Sequence, residues 1–314
     1  MAGRLSRGTV WLVSGLVFLL FLLPLGVGRY PLYLAIQILI LSVFSLGFNL
    51  LFGYTGLLSF GQAGFFGVGA YACAKILLAV PNLFLGLLGG VVIAGATALV
   101  LGFLSVRHTR IYFSMLTLAF GMMIYSVAWK WRDFTGGDDG LVGIPRAPLM
   151  IPGLGSLSVA SMERYYYVVV VVSLLAIWAM YRLVNSPLGL TLQGIRDSES
   201  RAECAGVAVR SYRLAAFTIA GLYAGLAGAL LPPLENTVTP PVAHWSSSAE
   251  PVMATLLGGI HTFGGPIVGA FLFFMLKDII VRFTEYWLIW LGAIVVALVM
   301  GFRGGVASIF VGRR

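Results

Sequence analysis

The sequence predicts an all-α polytopic membrane protein with about eight to ten transmembrane helices, some of them broken or re-entrant at glycine-rich stretches. Three observations carry that expectation. Apolar runs recur along most of the 314 residues, many near the roughly 20 residues that a helix needs to cross a bilayer. Only 10% of the residues are charged and 60% are hydrophobic, whereas a soluble domain carries charge on about a quarter of its residues. Glycine punctuates two of the apolar stretches densely enough to break a helix or to let two helices approach closely.

The runs fall at residues 10–28, 32–52, 60–80, 83–106, 111–130, 165–182, 214–232, 249–260, 266–281 and 286–302. The sixth, eighth and ninth are short for a full crossing. Short or broken segments are tolerated at membrane depth where protein buries them. The first run follows Arg4 and Arg7 and superficially resembles a secretory leader. It exceeds the roughly 7–15 apolar residues of a leader core and no A-x-A site follows, so an uncleaved first span is expected.

A net charge of +9 raises nucleic acid as a partner, but the distribution argues against it. The basic residues sit in short clusters beside apolar runs, and the aromatic residues lie inside those runs. That is the pattern of membrane orientation and not of a basic binding face. If ten runs cross, one side receives twelve positives: Arg4, Arg7, Arg107, Arg110, Arg182, Arg196, Arg201, Arg210, Arg213, Arg303, Arg313 and Arg314. The other receives six, namely Arg29, Lys130, Arg132, Arg146, Arg164 and Arg282. The excess assigns the first side, with both termini, to the cytoplasm.

Residues 52–71, FGYTGLLSFGQAGFFGVGAY, hold six glycines in twenty positions. Two readings stand. The glycines let helices pack closely, or they mark a broken segment that lines a polar path. On the second reading, Asn49, Ser59, Gly61, Gln62 and Gly64 are the candidate path residues. Gln37, Asn49 and Gln62 equally suit hydrogen bonding between helices. Lys75, Lys277 and Asp278 also fall within apolar runs; Lys75 can snorkel to the interface, and Asp278 can pair with Arg282 four residues on. A second glycine-rich stretch, 257–270, echoes the first through Phe263-Gly264 and hints at a weak internal repeat.

Two loops are expected on the outer side. Residues 131–164 are rich in Gly, Pro and Asp, which favour turns, and Asp138-Asp139 reads as part of a turn before it reads as a metal site. The second, PPLENTVTPPVAHWSSSAEP, ends with Ser247 and Glu250 at capping-box spacing, which predicts a helix start there.

The longest polar segment with an excess of positive charge is 186–213. It holds four arginines and three acids between two apolar runs. Ser186 and Pro187 suit a helix start, and a second helical turn is expected over 199–205, stopping at Gly206. A charged helical element presented between two spans suits docking of a soluble partner. Its candidate contact residues are Arg196, Glu199, Arg201, Glu203 and Gly206.

The chemistry absent from the chain narrows the classes. His108, His244 and His261 are far apart, with no H-E-x-x-H spacing. No G-x-S-x-G turn is present. None of the three lysines follows a glycine, so no Walker A loop cradles phosphate, and any ATP must be bound by another chain. Cys73 and Cys204 form no metal or disulfide pattern. No chain of carboxylates or histidines suggests a proton relay, which disfavours an ion-coupled secondary transporter.

Three stretches, FGYTGLLSFGQAGFFGVGAY at 52–71, RIYFSMLTLAFGMMIYSVAWKWRDFTGGDDGLVGI at 110–144 and SPLGLTLQGIRDSESRAECAGVAVRSYRLAAFTIAGLYAGLAGAL at 186–230, resemble the M-type permeases of branched-chain amino-acid ABC transporters. PVMATLLGGIHTFGGPIVGAF at 251–271 fits the same family. The resemblance implies a single permease domain over 1–314, in a bacterial inner membrane, with 186–213 as the cytoplasmic coupling loop. It implies a second related permease, two cytoplasmic ATPase subunits using ATP and Mg, and a periplasmic binding protein delivering leucine, isoleucine or valine. RAECAG at 201–206 looks like a short form of the motif by which importer permeases engage their ATPases. The resemblance implies no cofactor in this chain. Urea and short-chain amide permeases of the same family are the alternative.

Overall fold

The computed structural model describes residues 15, 19–24, 26, 28–108, 110–151, 155–301 and 305. Most of the first predicted run and the last few residues lie outside the described residues. Within them, six helices are long and apolar enough to cross a membrane: Arg29–Tyr54, Gln62–Ala79, Leu83–Ser105, Ile111–Lys130, Met162–Val184 and Val209–Glu235. The chain is thus an all-α multi-pass membrane protein, as its composition requires.

Helix α1 (Arg29–Asn49) is the centre of the bundle. Apolar side chains lie on every face of it, and every residue from Leu39 to Asn49 is buried, as expected of a helix surrounded by others. It continues into a π-helical turn, Leu50–Tyr54, and then into irregular backbone up to Gly61. Wide turns of this kind are rare and concentrate at functional positions. Four helices follow: α2 (Gln62–Ala79), α3 (Leu83–Ser105), α4 (Arg110–Lys130) and α5 (Met162–Val184). Next come the short α6 (Pro187–Asp197) and α7 (Glu199–Cys204), then α8 (Val209–Ala229). The chain closes with α9 (Ala249–Gly258), α10 (Gly265–Phe283) and α11 (Trp287–Gly301).

α2, α3 and α8 make the most extensive mutual packing in the bundle, and glycine is the reason. Gly69, Gly90 and Gly225 meet at one crossing. A Cβ at Gly90 would sit 2.8 Å from the Gly69 carbonyl oxygen, and one at Gly225 would sit 3.3 Å from the Gly90 carbonyl oxygen. Without side chains in between, backbones come into direct contact, which lipid-embedded helices use in place of a hydrophobic driving force. Within residues 52–71 the backbone break and the close packing fall in different parts. The stretch is broken up to Gly61 and is closely packed helix beyond it.

The loops at one end are tied down. β1 (Leu141–Val142) pairs antiparallel with β4 (Thr237–Val238), and β2 (Leu149–Ile151) with β3 (Gly155–Leu157). Arg146 donates to the carbonyl oxygens of Pro233 at 2.9 Å and Leu234 at 3.3 Å, which joins the two predicted outer loops into one cap. Asp138 and Asp139 lie in a tight turn, Gly137–Asp139.

After Glu235 the chain turns back into the bundle. Ala243 packs against Gly67, inside α2, and the Ser248 hydroxyl accepts a 2.9 Å hydrogen bond from the Ala63 amide at the foot of α2. The ten-residue α9 spans only about 15 Å at 1.5 Å per residue, half a crossing, so this is a re-entrant segment buried in protein. Two local expectations need correcting. The Ser247–Glu250 capping box does not form: the helix begins at Ala249 with no side-chain cap, and Ser247 donates instead to the Pro241 carbonyl oxygen at 3.0 Å. Ser186 likewise gives no cap bond, although Pro187 does open α6. Its hydroxyl reaches back to Leu183 at 2.6 Å. In both places a nearby carbonyl offers the hydroxyl a partner outside its own helix start.

Candidate functional site: a partly open cavity and a paired helix at the opposite end

Below the loop cap, α1, α9 and α10 line a partly open cavity of about 200 Å³. α1 contributes Gln37, Ile40, Leu41 and Phe44, which helical spacing places on one face. Phe66, Leu231, Val242 and Phe274 complete an apolar wall. The polar groups are few. The Glu250 carboxylate and Lys277 ammonium face each other at 3.7 Å, with Ser247 and Gln37 beside them. Gln37 donates to the Tyr33 hydroxyl at 2.7 Å, and Tyr33 donates to Glu235 at 2.6 Å. The Lys277 ammonium also lies 5.5 Å from the Phe274 ring centre and 5.0 Å from that of Trp287, within range of cation–π attraction.

The predicted path residues lie elsewhere, around the break after α1. Asn49, Ser59 and Gln62 are fully buried. Asn49 Oδ1, Ser59 Oγ and both amide atoms of Gln62 have no hydrogen-bond partner among the described residues, nor does Thr255 Oγ1 on α9. A cluster of orphaned polar atoms in apolar surroundings is costly. Asn49, Ser59 and Gln62 thus bring buried polar side chains to the break. Gly61 and Gly64 instead serve packing, against Thr117 and Gly121 of α4. Of the other polar residues in the runs, Asp278 accepts from Arg282 at 2.7 Å and from the Tyr30 hydroxyl, joining α10 to the start of α1. Lys75 lies over the Phe134 ring at 4.9 Å.

At the opposite end, α6 and α7 form the polar element read from 186–213. α6 turns Gly189, Leu192 and Ile195 inward, whereas α7 buries nothing. Arg201, Glu203, Cys204 and Gly206 are all exposed. α7 ends as predicted, with Gly206 in the left-handed region at φ +80°. The pair is fastened at two points. Arg213, with its side chain 7% exposed, donates bidentately to Glu199 at 2.7 and 2.8 Å. Arg196 donates to the Gly53 carbonyl oxygen inside the π-helical turn.

Sequence reasoning missed the cavity. Glu250 reads as a capping residue and Lys277 as a stray charge, because 27 positions separate them and nothing local pairs them. The only available signal was that each is a charge inside an apolar run.

A half-crossing helix, a broken central helix, a partly open amphiphilic cavity and a charged helical pair at the far end define a membrane transport subunit. Residues 30–302 match the family described as branched-chain amino acid transport system / permease component, and the chain belongs to that family. It is 27% identical over 302 residues to the high-affinity branched-chain amino acid transport system permease protein LivM of Escherichia coli. That similarity covers 88% of this chain and 70% of the relative. The LivM protein of Salmonella typhimurium is 28% identical with the same coverage. A probable branched-chain amino acid transport permease protein, LivH of Methanocaldococcus jannaschii, is 24% identical over 74% of each chain. No solved structure matches.

Proposed function

We propose that this chain is the membrane-spanning permease subunit of an ATP-binding cassette importer for leucine, isoleucine and valine. It pairs with a second, related permease, two cytoplasmic ATPases bind the pair, one of them docking on the α6–α7 element of this chain, and an extracytoplasmic binding protein delivers substrate to the loop cap. The match over 30–302 carries this reading, and the exposed, charged α7 supports it. ATP is used by the partner subunits, since no Walker A loop is present, and the chain itself is a conduit without a cofactor. The charge bias supports a cytoplasmic position for α6–α7 and both termini, and the family likeness supports a bacterial inner membrane.

The coupling route follows from the fastenings. Closure of the ATPases displaces α6–α7. Arg196 passes that displacement to Gly53, where α1 is already unwound, and Arg213 passes it to α8. A two-state break in α1 is then biased from both ends, by nucleotide below and by loaded binding protein above. Asn49, Ser59 and Gln62 sit at that break and gain polar partners when it opens.

Purification in mild detergent tests the reading. Co-purification of two ATPase chains and a second permease, with ATP-driven uptake of leucine after reconstitution, is the expected result. Uptake by this chain alone, driven by an ion gradient, would overturn it in favour of a secondary transporter. ATP-driven uptake of urea or a short-chain amide, with leucine excluded, would reassign the substrate.

A further inference from the structure

We infer that the cavity between α1, α9 and α10 is a site for a zwitterionic aliphatic α-amino acid, with Glu250 receiving its ammonium and Lys277 its carboxylate. The inference rests on the proposed importer function and assigns the residues that recognise the cargo inside the permease. Four features carry it.

The two charges oppose each other across 3.7 Å, longer than the roughly 3 Å of an N–H···O bond, so each keeps hydrogen-bonding capacity for a third group. The pair is neutral overall, as is an α-amino acid at neutral pH. Both charges face a shared cavity, where a plain brace between α9 and α10 would instead close upon itself. The remaining wall, including Ile40, Leu41, Phe44 and Phe274, is aliphatic and aromatic and suits a branched hydrocarbon side chain. Such a site rejects amino acids with charged side chains, whose extra charge would lie against that wall unpaired. It holds urea poorly, because urea has neither an ammonium, a carboxylate nor an aliphatic portion.

The complete importer, with both permeases, the ATPases and the binding protein in vesicles, is assayed for ATP-driven leucine uptake and for ATP hydrolysis stimulated by loaded binding protein. Glu250→Gln and Lys277→Gln each reduce uptake roughly tenfold or more, on the scale of a lost charge-assisted hydrogen bond, while stimulated hydrolysis persists. The double variant Glu250→Gln/Lys277→Gln is no better than either single one. Recovery of uptake in the double variant overturns the inference, because a structural brace suffers mainly from the unpaired charge that single substitution leaves behind. Undiminished uptake in the single variants also overturns it.

In case the variants do not assemble, a diazirine analogue of leucine is photolysed during turnover of the unaltered complex. Crosslinks to peptides containing 37–44, 247–250 or 274–277 are expected, and crosslinks confined to other parts of this chain or to its partners overturn the assignment. An unaltered complex that imports no branched-chain amino acid overturns the proposed substrate and the inference with it. Import with unaffected variants overturns the inference alone.

Discussion

Arg196 of α6 donates a hydrogen bond to the carbonyl oxygen of Gly53, inside the π-helical turn that ends α1. One contact therefore joins the charged α6–α7 element to the point where the central helix loses its regular backbone. A Cβ at Gly56, the next glycine, would lie 3.1 Å from Arg196 Cγ, so the arginine stem lies along the break as well as bonding to it. Arg196→Ala should leave the subunit assembled and reduce ATP-driven uptake about tenfold, the factor that corresponds to about 1.5 kcal/mol, the low end for one hydrogen bond to a charged group. Arg196→Lys should restore little, since an ammonium lacks the planar fork that bonds Gly53 and Asp197 together. Uptake normalised to the amount of assembled complex is the measurement.

Glu199 and Arg213 fasten α7 to α8. Arg213 is nearly buried but Glu199 is 40% exposed on its side chain, so solvent screens part of the interaction. Replacing Glu199 by Gln should loosen α7 by about 1–2 kcal/mol. Hydrogen exchange of the amides over 199–206 should accelerate about five- to thirtyfold, with α8 unchanged. Unchanged exchange would show that the pair does not hold α7.

Gly206 ends α7 at φ +80° with nothing within 4 Å of where a Cβ would stand. A side chain there meets backbone strain of about 1–2 kcal/mol, and its Cβ meets no clash. Gly206→Val combined with Glu203→Trp should therefore insert normally yet lower both uptake and stimulated ATP hydrolysis. Normal uptake would remove α7 from the coupling surface.

The Gly69–Gly90–Gly225 crossing makes the opposite prediction. A Cβ at Gly225 would overlap the Ala94 methyl and press on the Gly90 backbone, and no flexible side chain is available to yield. Gly225→Leu should cost about 3 kcal/mol or more, read as a fall in melting temperature and in the amount of folded protein in the membrane.

Sidedness can be checked with the native cysteines. Cys204 is exposed on α7 and Cys73 is buried in α2. A membrane-impermeant maleimide should label Cys204 in inverted vesicles and spare it in right-side-out ones, with Cys73 unreactive in both. Labelling in right-side-out vesicles would reverse the proposed orientation.

The amino-acid sequence by itself determined the class of protein, the positions of most spans, the charged element at 186–213 with its stop at Gly206, and the Asp278–Arg282 pair. Those features depend on runs, charge counts and spacings of three or four residues, which a bilayer and a helix convert directly into structure. Tertiary structure alone decided which glycines pack and which sit in a break, because that depends on whether another backbone stands opposite. It replaced the expected caps at Ser186 and Ser247 with bonds to Leu183 and Pro241. It also brought Glu250 to Lys277 across the turn between α9 and α10. Side chains so far apart in sequence meet only when the re-entrant segment folds back into the bundle.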